Sequence, residues 1–244
     1  MIVDLNQLGN IDFNANRFFN PQIRDEFVKN FAASIPSGLK VLDVASGNRP
    51  YKNFFEHCDY KSHEFQGNEQ ITDSFRGENE KPIHDFYGDI TELPIPDQTF
   101  DVVICTEVLE HVPEPIQAIK ELVRVTKTGG TILITCPMTS GEHQLFHFYA
   151  GFSKGFYKYI SEKFNLTMNS FSSQGDIFKV CFQLLNNCLY YIIPGTNPEV
   201  LTNTRYYIEQ YLLSLSKYYG DESENPIECS KQFTVGFCVI YTKN

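Results

Sequence analysis

The sequence predicts an α/β fold built on a doubly wound, mostly parallel sheet. Short apolar runs alternate with helical patterns over residues 39–137, and glycine or proline separates them. This alternation is typical of strands that are connected by helices and buried on both faces. Two aromatic-rich segments, residues 176–193 and 199–219, then precede an alternating run at 232–242. The sequence therefore also predicts a helical insertion before the last strand.

The elements follow from local signals along the chain. Apolar side chains near helical spacing predict an amphipathic helix over residues 17–35. The runs that predict strands are LKVLDVA (39–45), DYKSHEF (59–65), Phe100–Cys105 and GTILITCP (130–137), and YKNFFEHC (51–58) predicts a short helix between the first two. A further helix is expected to begin at Pro115 and to be closed by Gly129-Gly130. Residues 66–85 are polar and predict a loop.

We expect one domain over residues 1–244. Its parts are an N-terminal helical segment (1–38), a cofactor-binding core (39–137), a lid with the helical insertion (138–231) and the last strand (232–244). A chain of this length can bury a large core without disulfides.

The composition disfavours some classes of binding partner and indicates the cellular compartment of the protein. The net charge of −10 disfavours nucleic acid and anionic membrane surfaces. The seven cysteines include no C-x-x-C pair, which disfavours a disulfide framework or a zinc knuckle. Cys105 and Cys136 lie in apolar runs and are expected to be buried. The first residues lack the pattern of a signal peptide, and no apolar run reaches the length of a membrane span. We expect a cytoplasmic protein without stable membrane insertion.

The loop in VLDVASGNRPYKNFF, after the first predicted strand, contains a single glycine, Gly47. A dinucleotide pyrophosphate needs several glycines and backbone N–H donors at a helix start. Arg49-Pro50 crowds that position and removes one donor, so a nicotinamide-dependent oxidoreductase is disfavoured. One close backbone approach remains possible at Gly47. Taken alone, the loop fits a ligand site and a plain strand-to-helix turn equally well.

Two acidic residues lie where further contacts to a nucleoside would be needed. Glu64 ends the second predicted strand, at close to the offset at which an acidic side chain reaches ribose hydroxyls. Asp89 lies in the run GDITELPIPDQTFDVVIC. With these residues the sequence resembles the class I S-adenosylmethionine-dependent methyltransferases of the type 11-like kind. The resemblance covers roughly residues 39–137 and is carried by VLDVASG, HEF, GDITELPIPDQTFDVVICTEVLEHV and LVRVTKTGGTILITCP.

The resemblance implies a Rossmann-like sheet with helices on both faces, an antiparallel last strand and S-adenosylmethionine as cofactor. The G-x-R-P-Y form after the first strand is similar to bacterial sugar and polysaccharide-cluster methyltransferases. Carried over by position, the resemblance implies a role for each residue of the cofactor site. The residues implied at the methionine end of the cofactor are Asp43, Ala45, Ser46 and Gly47. Glu64 would bind the ribose, Asp89 and the Ile90 N–H would bind the adenine, and the residues implied beside the sulfonium are Cys105, Thr106 and Glu107.

Three residues are candidates for catalysis because an oxygen or nitrogen acceptor can need a base. They are Glu107, His111 and His143. His111 could instead cap or stiffen its turn, and the pattern slightly favours this role over that of a base. Glu107-x-x-Glu110-His111 also resembles the metal-binding E-x-x-E-H of small-RNA 3′-end 2′-O-methyltransferases. Metal-free relatives share the string, so we expect no metal.

The resemblance implies methyl transfer to a small molecule or sugar, at oxygen or nitrogen. The alternatives are a non-catalytic S-adenosylmethionine-binding module and a metal-assisted 2′-O-methyltransferase. The aromatic insertion could form an acceptor lid, a homodimer interface or a shallow membrane contact. Its tyrosines are Tyr190, Tyr191, Tyr206, Tyr207 and Tyr211. Such stripes usually mark a core face, so packing is the favoured expectation for them.

Overall fold

The computed structural model of the protein describes residues 19–65, 83–141, 148–187, 198–219 and 233–244. The helices are α1 (Phe19–Ser34), α2 (Pro115–Val125), α3 (Lys154–Lys163), α4 (Ile177–Asn187) and α5 (Pro198–Tyr219). The strands are β1 (Lys40–Val44), β2 (Asp59–Glu64), β3 (Phe86–Tyr87), β4 (Phe100–Thr106), β5 (Thr126–Pro137), β6 (Leu166–Ser173) and β7 (Gly236–Lys243). Short 3₁₀ turns occupy Lys52–Phe55, Ile90–Glu92 and Leu109–His111.

The described strands form one seven-stranded sheet in the order β3-β2-β1-β4-β5-β7-β6. Strand β1 pairs in parallel with β2 and with β4, and β5 pairs antiparallel with β7. The mostly parallel sheet and the antiparallel last strand confirm the fold class. The strand order reverses between β1 and β4, and ligands of open α/β sheets bind in the crevice at such a switch point.

Burial on both faces of the sheet explains why its central strands are continuous apolar runs. Successive β1 side chains point to opposite faces. Leu42 joins a core cluster that includes Leu122 of α2, whereas Val41 joins a second cluster that includes Val28 and Phe31 of α1. The two clusters hold helices against both faces of the sheet.

One expectation about an element boundary was wrong. Helix α2 ends at Val125, and Gly129-Gly130 lie inside β5 instead of closing the helix. Thr126 already pairs with Phe100 of β4. A Cβ at Gly130 would stand 2.9 Å from the Asp101 carbonyl oxygen, so this glycine permits close approach of two strands.

The sequence predicted no element between α3 and α4. Strand β6 lies there, as the edge strand beside β7. Its sequence, LTMNSFSS, is polar because most of its side chains are only partly buried. Helices α4 and α5 follow β6 and precede β7, which confirms a helical insertion before the last strand.

The chain divides into two compact units, one of Arg24–Ser172 with Gly236–Asn244 and one of Met1–Ile23 with Ser173–Val235. In the described part of the second unit, Asp176 accepts hydrogen bonds from the Phe178 and Lys179 N–H groups and from Ser216 Oγ. The single-domain organisation stays a prediction.

The tyrosines of α5 do not form a core face. Tyr206, Tyr207 and Tyr211 are 44%, 61% and 47% exposed, so the expectation of packing was wrong for these three. Tyr190 and Tyr191 lie outside the described residues. Within the described ranges, no helix combines the length and the apolar character that a bilayer span requires. The homodimer contact stays a prediction.

Candidate cofactor site

The loop after β1 turns through residues with left-handed backbone. Ala45, Gly47 and Arg49 have φ angles of 52°, 54° and 55°. Glycine adopts this conformation freely, but Ala45 and Arg49 have a Cβ that disfavours it. A hydrogen bond from the Arg49 N–H to the Ser46 carbonyl, at 2.8 Å, closes the turn. The Arg49 side chain donates to the Ile83 carbonyl at 3.1 Å, which ties it to the chain outside the loop.

His63 of β2 holds the first half of this turn. Its carbonyl accepts from the Ser46 N–H at 3.0 Å, and its Nδ1 accepts from the Ala45 N–H at 3.4 Å. Burial lowers the pKa of His63 to about 4, so the imidazole is neutral and can accept at Nδ1. Ser46 Oγ also lies 3.2 Å from His84 Nδ1. These contacts stabilise the left-handed backbone of a loop that contains a single glycine.

The structure brings Glu64 and Gly47 into direct contact. Glu64 ends β2, and its Oε2 accepts from the Gly47 N–H at 2.7 Å, while its Oε1 accepts from the Phe65 N–H at 3.0 Å. A Cβ added at Gly47 would meet no atom of a described residue within 4 Å. In the described part of the chain the space beside Gly47 is therefore open, and the Glu64 carboxylate lies at its edge.

Asp43 lies at the end of β1, beside this loop. Its side chain is 1% exposed, and its Oδ2 accepts from the Tyr60 hydroxyl at 2.6 Å. Burial raises the pKa of Asp43 to about 7, the Tyr60 hydrogen bond opposes this rise, and the charge of Glu64 adds to it. The structure therefore keeps a carboxyl group at the switch point in spite of its desolvation.

Asp89 and Ile90 lie in the turn after β3. Asp89 is exposed and caps the 3₁₀ turn Ile90–Glu92, since its Oδ1 accepts from the Thr91 N–H at 2.8 Å and from Thr91 Oγ1 at 2.7 Å. The Ile90 side chain is buried in the core. The cap fixes the orientation of the carboxylate through Oδ1.

The residues after β4 form the other side of the crevice. Cys105 is fully buried, and Thr106 ends the strand. Glu107 then turns the chain with a φ of 53°. Its N–H donates to the Thr135 carbonyl at 2.9 Å, and Thr135 Oγ1 donates to Glu107 Oε1 at 2.7 Å. Strand β5 therefore fixes both the backbone and the carboxylate of Glu107.

Glu110, one member of the E-x-x-E-H string, is a buried acid. It is 1% exposed, and its Oε2 has no hydrogen-bond partner among the residues that the structure describes. Burial and the charge of Glu107 raise the pKa of Glu110 to about 8. His111 Nε2 lies 3.7 Å from Glu110 Oε1. Among the residues that the structure describes, no group of three or more His, Cys, Asp or Glu side chains is arranged to hold a metal ion. His143 lies outside the described residues.

An open cleft of about 650 Å³ adjoins this turn. Pro115, Ile116 and Gln117 from α2 and Tyr149, Phe152 and Phe156 from the other side line it. The Glu110 carbonyl accepts from the Phe148 and Tyr149 N–H groups, which joins one cleft wall to the turn after β4. Gln117 Nε2 donates to the Thr91 carbonyl at 3.1 Å, which joins the other wall to the turn that Asp89 caps.

Sequence patterns did not reveal several of the residues that shape this site. His63 and Tyr60 read as ordinary strand residues, and Thr135 reads as part of an apolar strand. Each acts on a residue far away along the chain. The register of β1 with β2 and of β4 with β5 brings these pairs together, so the strand pairing was the signal that could have found them.

Comparison with known proteins agrees with this geometry. Residues 42–134 match the family model described as a methyltransferase domain. A demethylmenaquinone methyltransferase of Lysinibacillus sphaericus is 32% identical over 137 residues, which are 52% of this chain and 56% of that protein. The corresponding enzyme of Paenarthrobacter aurescens is 34% identical over 111 residues, which are 42% of this chain and 40% of that protein. The chain thus spans about half the length of the curated relatives that it matches.

Solved structures share the fold at low sequence identity. A geranyl diphosphate methyltransferase in complex with S-adenosylmethionine has a TM-score of 0.54 at 10% identity, over 99% of this chain and 96% of that one. The YcgJ protein of Bacillus subtilis has a TM-score of 0.51 at 13% identity, over 91% and 99%. These structures show a shared fold, and residues 42–134, which match the family model, carry a methyltransferase domain of the class I S-adenosylmethionine-dependent type.

Proposed function

We propose that the protein transfers a methyl group from S-adenosylmethionine to a small-molecule acceptor. The observation that carries this proposal is the contact between Glu64 and Gly47 at the switch point, beside open space. A carboxylate held there can accept from two vicinal ribose hydroxyls. Asp89, with one oxygen fixed in a cap, presents the other to the exocyclic amine of adenine. Both acids lie at the carboxyl ends of strands, where ligands of this fold class bind.

The residues after β4 lie where the reaction would take place. S-adenosylmethionine supplies a methyl group on a cationic sulfur, and the acceptor must approach in line with the bond that breaks. Buried or fixed carboxyl groups near the sulfur favour the cation. Glu107 is held by Thr135, and Glu110 is buried beside it. His111 is the candidate base on this turn, and His143 stays a second candidate from sequence.

The lining of the cleft favours an apolar, ring-bearing acceptor over a sugar. Ile116, Phe152 and Phe156 give it apolar walls. Its polar lining groups are Glu114, Gln117 and Tyr149. Two of them already have partners, since Gln117 donates to the Thr91 carbonyl and the Tyr149 hydroxyl donates to the Pro113 carbonyl at 2.7 Å. Glu114 could pair with some hydroxyl groups of a sugar, but the others would lie unpaired against apolar walls, which costs free energy. The relatives named for demethylmenaquinone are in line with a small acceptor of this kind.

Calorimetry with S-adenosylhomocysteine tests donor binding. We expect binding by the wild-type protein and a loss of more than about 100-fold in the Glu64→Ala/Asp89→Ala double variant, since several charge-assisted hydrogen bonds disappear. The control is Glu26→Ala/Glu56→Ala, which removes the same charge from exposed positions. Wild-type affinity in the Glu64/Asp89 double variant would contradict the proposed donor site.

A labelled-methyl assay tests the acceptor. We expect transfer to reduced quinones or phenols and none to nucleotide sugars. Phe156→Ala should raise KM for the acceptor, whereas Tyr159→Ala, at an exposed position of α3, should leave it unchanged. Transfer to sugars alone would favour the sugar acceptor. Donor binding without transfer to any acceptor would favour a non-catalytic binding module, and activity that is lost on chelation would favour the metal-assisted reaction.

A further inference from the structure

Helix α5 presents a row of tyrosines on its exposed side. Tyr207, Tyr211 and Tyr218 are 61%, 47% and 59% exposed. Their spacing of four and then seven residues places them on one face of an α-helix. Tyr206 and Tyr219 lie beside the two ends of this row and are 44% and 40% exposed. We refer to these five residues as the tyrosine row.

Contacts on the opposite side of α5 fix this orientation of the helix. Leu212 and Leu213 pack on a small core cluster that includes Phe182 of α4. Ser216 is 1% exposed, and its Oγ donates to Asp176 Oδ2, just before α4, at 2.7 Å. The spacing of the three α5 residues places them on the helix face opposite the tyrosine row. The row therefore faces outward because other residues hold α5 in place.

The exposed part of the tyrosine row is as large as one side of a small protein interface. A tyrosine side chain has roughly 200 Å² of surface, so the exposed fractions of the five tyrosines amount to about 500 Å². Patches of this size on soluble proteins are often functional, and tyrosine is enriched at protein interfaces. If two copies of the row covered each other, they would bury about 1,000 Å² in all, which is the lower limit for a specific interface.

The charges around the row favour a second copy of this chain over a lipid surface. Among the side chains of residues 206–219 that the structure describes, Lys217 is the only exposed charged one. A helix that binds anionic lipid carries several basic residues beside its apolar face, and the net charge of −10 repels such a surface. Two copies of the chain also repel each other, but they do so least where uncharged faces meet.

The row is also self-complementary. A twofold axis midway between Tyr207 and Tyr218 would place these two residues opposite each other in antiparallel copies of α5. It would likewise place Tyr206 opposite Tyr219, with Tyr211 beside the axis. Each contact then occurs twice, as in any isologous interface. We propose that the tyrosine row pairs with the row of a second copy in this antiparallel register and so forms a homodimer.

Analytical ultracentrifugation tests the dimer and its register. We expect the wild-type chain to show a reversible monomer–dimer equilibrium at concentrations up to about 100 μM. Tyr207→Glu places a carboxylate against the Tyr218 ring twice per dimer and should weaken dimerisation at least about 10-fold. Tyr207→Glu/Tyr218→Lys places opposite charges across the interface and should dimerise at least about fivefold more tightly than Tyr207→Glu alone.

The matched control is Tyr207→Glu/Tyr159→Lys, which has the same net charge but carries its lysine at an exposed position of α3. It should stay as weak as Tyr207→Glu. Both double variants contain Tyr207→Glu, so a folding defect of that variant would not produce the difference between them. A monomeric wild type, an unchanged dimer in Tyr207→Glu or equal recovery by the two lysines would overturn the proposal. Cosedimentation of a monomeric wild type with vesicles of phosphatidylcholine and phosphatidylglycerol would also overturn it and would assign the row to a lipid surface.

Discussion

Asp43 gives the unliganded protein an unusual dependence of stability on pH. Its pKa is raised to about 7 because the side chain is buried, whereas in the unfolded chain it titrates near 3.8. Between these two values the folded state holds a proton that the unfolded state has lost. Protons held by the folded state alone make the free energy of unfolding fall as pH rises. The contribution of Asp43 is therefore present below about pH 4 and is lost as pH rises to about 7.

The substitution Asp43→Asn removes this ionisation and retains an acceptor for the Tyr60 hydroxyl, which now lies 2.6 Å from Oδ2. Each pH unit between the two pKa values is worth about 1.4 kcal/mol. From pH 5 to pH 7 the variant should therefore gain about 2 kcal/mol of stability relative to the wild-type protein, since the slope declines as pH approaches the folded pKa. For a chain of this size that gain corresponds to about 4–8 °C in Tm. Above about pH 8 the difference should be constant.

Denaturant unfolding of both proteins at a series of pH values measures this difference. Glu110 and His63 also titrate in this range, and His63 does so with the opposite sign because its pKa is lowered. Their contributions are the same in both proteins and cancel in the difference. Asp59→Asn, at an exposed position, serves as the control and should show no trend. A difference between Asp43→Asn and wild type that stays constant within about 0.5 kcal/mol from pH 5 to pH 7 would refute the reasoning.

Two further predictions concern the backbone. Ala45→Gly should stabilise the protein by about 0.5 kcal/mol, because the steric strain of alanine in the left-handed conformation exceeds the entropy cost of glycine. Thermal unfolding measures this change, and a lower Tm for the variant would contradict it. Gly130→Ala should cost about 1–3 kcal/mol, since the new Cβ would lie within 3 Å of the Lys127 and Asp101 carbonyl oxygens. Its control is Gly155→Ala, where the nearest atom stands 3.5 Å from the Cβ, and equal effects of the two alanines would reject the steric argument.

The alternation of strands and helices predicted the sheet because each central strand must be apolar on both faces. The same reasoning failed where a strand is not central. Strand β6 is an edge strand with only partly buried side chains, so its sequence carries little hydrophobic pattern. The end of α2 was missed for a different reason. Pairing of Thr126 with Phe100 ends the helix before the two glycines, and this contact is not local.

The sequence likewise predicts some contacts of the candidate site and not others. The contact of Glu64 with Gly47 follows from their spacing across a strand–turn–helix–strand unit, and a sequence can show that spacing. The positions of Arg24 and Glu110 cannot be read from spacing. Helix α1 packs on the sheet through Val28 and Phe31, and the Arg24 guanidinium and the Tyr51 hydroxyl both contact Asp25 Oδ1. The Glu110 carbonyl accepts from the Phe148 and Tyr149 N–H groups, so residues distant along the chain meet at this turn.

The buried acids Asp43 and Glu110 affect both the stability of the protein and the function proposed for it. Asp43 and Glu110 are each about 1% exposed, and burial raises both pKa values. Without a ligand such groups are costly, and stability alone does not explain them. A cation bound between them would favour their ionised forms and offset the repulsion between Glu107 and Glu110. A cationic sulfur meets that requirement, whereas an acceptor without charge does not. The ionisation of Asp43 and Glu110 lowers the free energy of unfolding as pH rises, and the same two carboxylates would stabilise a bound sulfonium.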